Sequence, residues 1–401
     1  MTATAGARLR RQLVSDLEAK GALRSERVRD AFLSVPRERF LAQVERGLHE
    51  IYKDEAIVTK RDAQGMPRSS SSQPSLMAEM LEQLDVQPGQ RVLEIGAGTG
   101  YNAALLAHIV GRRGRVTSID VDAELARRAR RCLREAGYSA AIKVGDGRNG
   151  HPDGAPYDRI IVTACADEVP NAWLEQLAEG GRLELPLRLD PDGAAIQVIP
   201  TLERRGEDLR STGLTWGGFM PLHRGDGGWR PPSAALGVSR QAKGQPTMLA
   251  SVSGAGVEQL SGEGARRLLA AILTRAGTPR RSGMTDLSGS RPPLVLLYLM
   301  LNIPASRRVS VTQDGRLGIG VIHPRRQSLA LVSLRTPWQS GADSRARWRL
   351  DAYGEDDAAA AELNDLLDQW ERLRRAGRTK LELTAQGPGD PLELSFNWAR
   401  D

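Results

Sequence analysis

The stretch RVLEIGAGTGYNA at residues 91–103 constrains this chain more than any other. An apolar strand runs directly into a loop with glycine at 96, 98 and 100, and the loop opens a helix. A helix that starts so soon after a strand has to fold back over it, which is the first half of a right-handed crossover in a parallel sheet. The glycines let the backbone come close to a ligand, and the first amides of the helix are free donors. Glycines alone also serve tight strand-to-helix turns, so the flanking segments decide between the two uses.

Those segments continue the alternation. YNAALLAHIV is helical and RVTSID is a second strand. VDAELARRARRCLREAG puts Ala126, Ala129, Cys132, Leu133 and Ala136 on one helix face and arginines on the others. AAIKVGD, YDRIIVTACA and GRLELPL supply further strands between turns rich in Gly, Pro and Asp. The expected fold is α/β, a mainly parallel, doubly wound, Rossmann-like sheet with both faces covered. Upstream, residues 8–33 carry helical periodicity through Leu13, Leu17, Leu23, Val28 and Phe32, with a break at Pro36.

A chain of 401 residues is long enough for two cores. After residue 224 the character changes, and HRGDGGWRPPSAALG reads as a boundary. The expectation is a catalytic domain over 1–224, a Gly/Pro-rich linker over 225–238 and a compact α+β domain over 239–401. The last would hold a helix near 258–276, an apolar segment at 294–303, strands near 308–312, 317–323 and 328–335, an amphipathic helix at 355–375, and KLELTAQ and PLELSF at its end. It shows no catalytic signature.

Acidic residues close the strands of the first half. Asp120 ends the strand that follows the glycine loop, ~20 residues on, where a carboxylate can accept hydrogen bonds from both ribose hydroxyls. Asp146, in the bend Gly145-Asp146-Gly147, ends the third and can meet an adenine amine. Either alone reads as a helix cap or turn residue. Together with the loop they converge at the carboxyl ends of one sheet, where open α/β folds bind ligands. A dinucleotide site wants GxGxxG over a pyrophosphate, whereas GAGTG preceded by Glu94 suits a cofactor without phosphate. The candidate cofactor set is Glu94, Gly96, Ala97, Gly98, Thr99, Gly100, Asp120, Val121, Asp146, Gly147 and Thr163. The pattern resembles class I S-adenosylmethionine-dependent methyltransferases, which implies S-adenosyl-L-methionine as cofactor and S-adenosyl-L-homocysteine as product.

The net charge of +7 favours acidic partners or reflects a codon usage rich in Arg. The run RRARRCLR reads as a solvated helix face, because its opposite face is apolar. Two cysteines, Cys132 and Cys165, form no CxxC pair and suggest neither disulfide nor metal site; Cys165 reads as buried filling and His49 as structural. The N-terminal MTATAGARLRRQL lacks a signal-peptide core and LVLLYLMLNI is too short to span a bilayer, so a cytoplasmic protein without a membrane partner is expected.

Further segments carry a narrower resemblance. RSERVRDAFLSVPRERFL, YKDEAI, SSQPSLMAEML, VLEIGAGTGYNAALLA, GDGRNG, APYDRIIVTACADEVPNAWLEQLAEGGRLELPL and GGFMPL, in this order over residues 8–224, resemble the protein L-isoaspartyl O-methyltransferase family. The resemblance implies methyl transfer to an aspartyl or isoaspartyl carboxylate of a peptide or protein, the ester then closing to a succinimide (aspartimide). It also implies that Ser72, of Ser72-Gln73-Pro74, reaches the methyl-transfer site and orients the acceptor; a helix N-cap before SLMAEMLEQL is the other role open to it.

Two features depart from that family. IVTKRDAQGMPRSSSSQ is longer and more polar than the usual turn before the serine. It either binds an acidic peptide or is an insertion without fixed structure, and Ser71, Gln73, Pro74, Arg68 and Arg61 are candidate substrate contacts. The added C-terminal domain resembles the actinobacterial FxLD-system type, which implies an Asp in a ribosomally synthesised, modified precursor peptide as acceptor. General isoaspartyl repair is one alternative and tRNA methylation another. The absence of an aromatic stacking platform speaks against nucleic acid.

Overall fold

A computed structural model describes residues 5–63, 65–189, 197–223, 236–242, 245–253, 281–285, 292–313, 316–323, 326, 328–334 and 348–400. The expected linker falls outside the described residues over 225–235, and the expected helix near 258–276 falls outside them entirely. The chain divides into two compact units, Met1–Arg188 with Gln197–Trp229 and Glu382–Asn397, and Leu189–Ile196 with Arg230–Leu381 and Trp398–Asp401.

The first unit opens with α1 (Ala5–Ala19), α2 (Glu26–Ser34), α3 (Arg37–Phe40) and α4 (Leu48–Ile51). The helical periodicity over 8–33 is carried by two helices. Gly21 turns the chain at φ 73°, and the Ser25 hydroxyl accepts the Val28 N–H to cap α2. Next come a hairpin of β1 (Ile57–Arg61) and β2 (Pro67–Ser71) and then α5 (Pro74–Leu84).

Strands β3 (Arg91–Ile95), β4 (Arg115–Asp120), β5 (Ala141–Val144), β6 (Tyr157–Val162) and β7 (Leu177–Glu184) alternate with α6 (Tyr101–Val110), α7 (Ala123–Ala136) and α8 (Asn171–Gln176). They run parallel in the order β7-β6-β3-β4-β5, so the winding reverses between β3 and β6. The apolar runs of the central strands β3 and β6 follow from burial on both faces; Val92, Leu93 and Ile160 are fully enclosed. Helix α7 buries Leu125, Ala126, Ala129, Cys132 and Leu133 and exposes Arg127, Arg130, Arg131 and Arg134. Burying one such Leu contributes roughly 1.5–3 kcal/mol against ~0.5 kcal/mol for an exposed ion pair, so the apolar face orients this helix.

A short β8 (Leu187–Arg188) and the antiparallel hairpin of β9 (Gln197–Arg205) and β10 (Asp208–Trp216) extend the sheet beyond β7. The second unit has a seven-stranded sheet of β11 (Leu236–Ala242), β12 (Gln245–Ser253), β13 (Arg281–Thr285), β14 (Arg308–Gln313), β15 (Arg316–His323), β16 (Ser328–Leu334) and β17 (Trp348–Gly354), ordered β11-β12-β14-β15-β16-β17-β13 and antiparallel throughout. Helices α9 (Pro292–Asn302) and α10 (Ala358–Arg375) pack against each other, and both pack on β15. The apolar segment at 294–303 is thus core rather than span. No helix among the described residues is long and apolar enough to cross a membrane.

The last strands depart from expectation. β18 (Lys380–Gln386) pairs with β10, and β19 (Glu393–Ala399) lies outside it, so KLELTAQ and PLELSF complete the first sheet rather than the second. Leu392 N–H also bonds the Val169 carbonyl at 2.9 Å, which ties the return segment to the loop after β6.

Candidate active site

The three glycines of the loop between β3 and α6 all have positive φ, 101° at Gly96, 50° at Gly98 and 85° at Gly100. Each meets a different neighbour. A Cβ on Gly96 would lie 2.4 Å from Thr163 Oγ1, one on Gly98 3.7 Å from Ser69 Oγ, and one on Gly100 3.1 Å from Ala129 Cβ in α7. The loop is therefore wedged between β6, the β1–β2 hairpin and α7 with no room for a side chain at Gly96. The Thr163 hydroxyl fixes it further, donating towards the Gly96 carbonyl at 2.7 Å. Ala97 is buried beside Gly96, and both N–H groups bond the Ile119 carbonyl; the Thr99 hydroxyl accepts the Tyr101 N–H at 3.3 Å.

Asp120 closes β4 next to this loop. Its Oδ2 accepts the Gly98 N–H at 2.8 Å and its Oδ1 the Asp122 N–H at 2.9 Å, so one carboxylate joins the donor loop to the start of α7. Only 8% of Asp120 is exposed, and burial raises its pKa against those two bonds. Half-buried Val121 follows it. Asp146 closes β5's end of the site, paired with Arg148, and caps the short turn that starts at Gly147. Gly147 is held from two sides: a Cβ there would lie 2.3 Å from Ile95 Cγ2, and its carbonyl accepts the Trp173 indole N–H at 2.9 Å.

Glu94 lies beneath the loop, fully buried, accepting from Asn102 Nδ2 at 2.8 Å and from the Ser118 hydroxyl. Burial pushes its carboxyl up to about 7, although both donors work in the other direction. In this position it braces β3, β4 and α6 under the loop rather than lining the crevice.

Residues 57–61 and 67–71 pair as an antiparallel hairpin, so these strands are not a structureless insertion. Ser69 and Ser71 face inward and are buried, Thr59 Oγ1 donating to Ser69 Oγ at 3.0 Å. Ser72 leaves the strand half-buried, with no partner for its hydroxyl among the described residues. It is not the cap of α5. Gln73 holds the N-cap position, without a side-chain bond, and buried Pro74 is N1. The cap comes from elsewhere, since Asp54 Oδ1 accepts the Ser75 N–H at 2.8 Å while its Oδ2 pairs with Lys20 at 2.7 Å. Burial would raise the Asp54 pKa, but the Lys20 and Ser75 bonds outweigh it and hold the carboxyl below its ordinary value.

Arg37 and Asp54, which the sequence does not single out, hold the backbone on either side of Ser72-Gln73-Pro74. The Arg37 side chain is fully buried, donates from Nη2 to the Ser72 carbonyl at 3.1 Å and to Glu55 O at 3.5 Å, and lies 5.4 Å from the Tyr101 ring centroid. It thereby clamps both stems of the hairpin. Both residues sit inside segments quoted above, VPRERF and YKDEAI, but no local pattern distinguishes them. Of the basic residues expected to meet a peptide, exposed Arg61 turns back onto the hairpin tip, bonding Gly65 O at 2.8 Å. Arg68 is half-buried beside His223, whose pKa is lowered by burial first and by Arg68 second.

The site fits S-adenosylmethionine in its backbone and donor chemistry: a glycine cradle closed to side chains, a carboxylate at the end of β4 for a diol, and no phosphate-binding lysine in the loop. With the winding reversal beside β3, this defines a class I S-adenosylmethionine-dependent methyltransferase. The sequence profile of the protein-L-isoaspartate(D-aspartate) O-methyltransferase (PCMT) family matches residues 8–225. The protein-L-isoaspartate O-methyltransferase of Pyrobaculum neutrophilum is 38% identical over 213 residues, 53% of this chain and 97% of that one. Its namesake from Methanothermobacter thermautotrophicus is 39% identical over 223 residues, 55% and 97%. A solved structure titled protein-L-isoaspartate O-methyltransferase aligns over 96% of this chain and 99% of its own, with 26% identity and a TM-score of 0.54. The chain belongs to the protein-L-isoaspartate O-methyltransferase family.

Proposed function

We propose that the protein methylates an aspartyl-type side-chain carboxylate, isoaspartyl in the first instance, of a peptide or protein. The observation that supports this is the serine strand, with Ser69 Oγ and Ser70 O 3.7 and 3.8 Å from the Cβ position of Gly98, leading directly into Ser72, whose hydroxyl no described residue engages. When bound, S-adenosylmethionine supplies a methyl group on a positively charged sulfur. An ionised carboxylate is already a nucleophile, so the protein's task is to align and desolvate it rather than to remove a proton. Ser72 donates a hydrogen bond to the acceptor carboxylate, with its backbone held by Arg37. Gln73 and Ser71 flank it, and Arg68 offers a charge for an acidic peptide. Cys165 is no rival nucleophile, because burial pushes its thiol up to about 12.

A methyl ester so formed is attacked by the following backbone amide nitrogen, which expels methanol and leaves a succinimide. Mass spectrometry of an isoaspartyl peptide incubated with enzyme and cofactor is expected to show gain of one methyl, then loss of methanol. Ser72→Ala is expected to lower kcat about 10-fold, ~1.4 kcal/mol, with S-adenosylhomocysteine affinity unchanged. A methyl group stable to mild alkali would overturn carboxyl transfer and favour tRNA.

A second reading, methylation of an Asp in a modified precursor peptide with aspartimide as product, draws support from the long polar hairpin. The C-terminal domain expected over 239–401, which we read as recognising the peptide apart from the strands that return to the first sheet, does not separate the two readings, because a solved protein-L-isoaspartate O-methyltransferase aligns over 96% of the chain. Turnover of a modified precursor but of no linear isoaspartyl peptide would select the second.

A further inference from the structure

Among the described residues the hairpin approaches the donor side at two places. One is Gly98, under Ser69 and Ser70. The other is the start of α7, where Lys60 Nζ lies 2.6 Å from Asp122 Oδ2 and 2.7 Å from Glu124 Oε2. Lys60 and Ser69 are cross-strand partners, and the register of the hairpin shifts on both sides of Lys60, the kind of irregularity that re-aims a side chain.

Gly98 and Asp122 are also the two residues whose N–H groups hold Asp120. The hairpin thus bridges the carboxylate expected to take the ribose, which agrees with the slight exposure of Asp120. Asp122 is fixed independently of Lys60, since its Oδ1 accepts the Glu124 and Leu125 N–H groups as the cap of α7. Lys60 therefore docks onto a preorganised partner. Burial would lower its pKa, but the bonds to Asp122 and Glu124 outweigh this and keep it charged.

We infer that Lys60 is a positioning residue that pins the serine strand over the donor site and so sets how fast the cofactor and its product leave. Opening the site means breaking both ion pairs. They are partly exposed, 27% at Lys60, so the latch is modest and salt-sensitive.

The test uses the full-length protein loaded with radiolabelled S-adenosylhomocysteine and chased with unlabelled ligand. Lys60→Met is expected to release label about 5-fold faster, and Lys60→Arg to restore most of the slow release. Added salt should speed release from the parent protein and leave Lys60→Met almost unaffected. Equal release rates for parent and Lys60→Met would overturn the inference, as would an identical salt response in the two. A defect that Lys60→Arg shares in full, with a lowered Tm, would also count against it, because that pattern belongs to a purely structural residue. The readout does not involve the acceptor, so it stands whichever carboxylate is methylated.

Discussion

The donor loop and the hairpin facing it are built on opposite plans. The loop owes its shape mainly to its own backbone and to neighbouring strand ends: glycines at positive φ, a buried Glu94 beneath, Asp120 at the end of β4 and the Thr163 hydroxyl after β6. The hairpin turns the serines of β2 inward and is held in place by side chains imported from α3 and from the start of α7. A site made this way can hold its cofactor geometry constant while the acceptor side is retuned by single substitutions. Changes within the donor loop should damage cofactor binding and stability together, whereas changes on the hairpin side should act on turnover or on cofactor release with little loss of stability.

The largest effect is expected at Gly96→Val, where the new Cβ would lie 2.4 Å from Thr163 Oγ1 at a φ of 101°. Calorimetry should find no S-adenosylhomocysteine binding and a Tm lower by more than about 5 °C. Retained binding would show the loop to be more adaptable than the hairpin and break the contrast.

Next is Glu94, whose carboxyl burial raises to about 7 from an ordinary 4.5. The folded state then binds the extra proton, so the stability it contributes is present at acid pH and lost as pH rises through about 7. In Glu94→Gln the fall in stability between about pH 5 and 8 should flatten, by on the order of 3 kcal/mol at most. Denaturant melts across that range would show it, and an unchanged slope would place the proton elsewhere.

Arg37→Met is the sharpest test on the hairpin side. Its Nε and Nη1 are buried without hydrogen-bond partners among the described residues, so an apolar residue of similar length should leave the Tm within about 3 °C, while release of the Ser72 carbonyl lowers kcat about 10-fold. A collapse of stability with normal turnover in the residual folded protein would reverse the assignment. The smallest effect belongs to Asp54→Ala, which removes the borrowed cap of α5 and should cost about 1 kcal/mol in urea titration with cofactor affinity intact.

The same contrast explains what was legible in sequence. The donor side is contiguous, so glycine spacing, the acid ~20 residues on and the apolar face of α7 announce it in linear order. The second strand of the hairpin escaped because its inward positions are serines: Ser69 and Ser71 alternate correctly, but without apolar residues the period of two leaves no hydrophobic trace in β2. Arg37 meets Ser72 across 35 positions and Asp54 meets Ser75 across 21, contacts that no local window contains. Upstream, Gly21 and Ser25 carried the signals for a break between α1 and α2, masked by a continuous apolar period. KLELTAQ and PLELSF were readable as strands, but partner choice is a non-local property, and β18 pairs with β10, more than 160 positions away.

That pairing bears on synthesis. A chain emerging from the ribosome can wind the parallel strands early, yet β10 stays without its outer neighbour until residues 380–386 have been made. In the interval it presents a bare row of amides and carbonyls to whatever lies near, including another nascent copy. The second unit is therefore not a trailer that can be cut away. It is a detour between two strands of one sheet, and a stop codon anywhere within it would leave the catalytic half with an open seam.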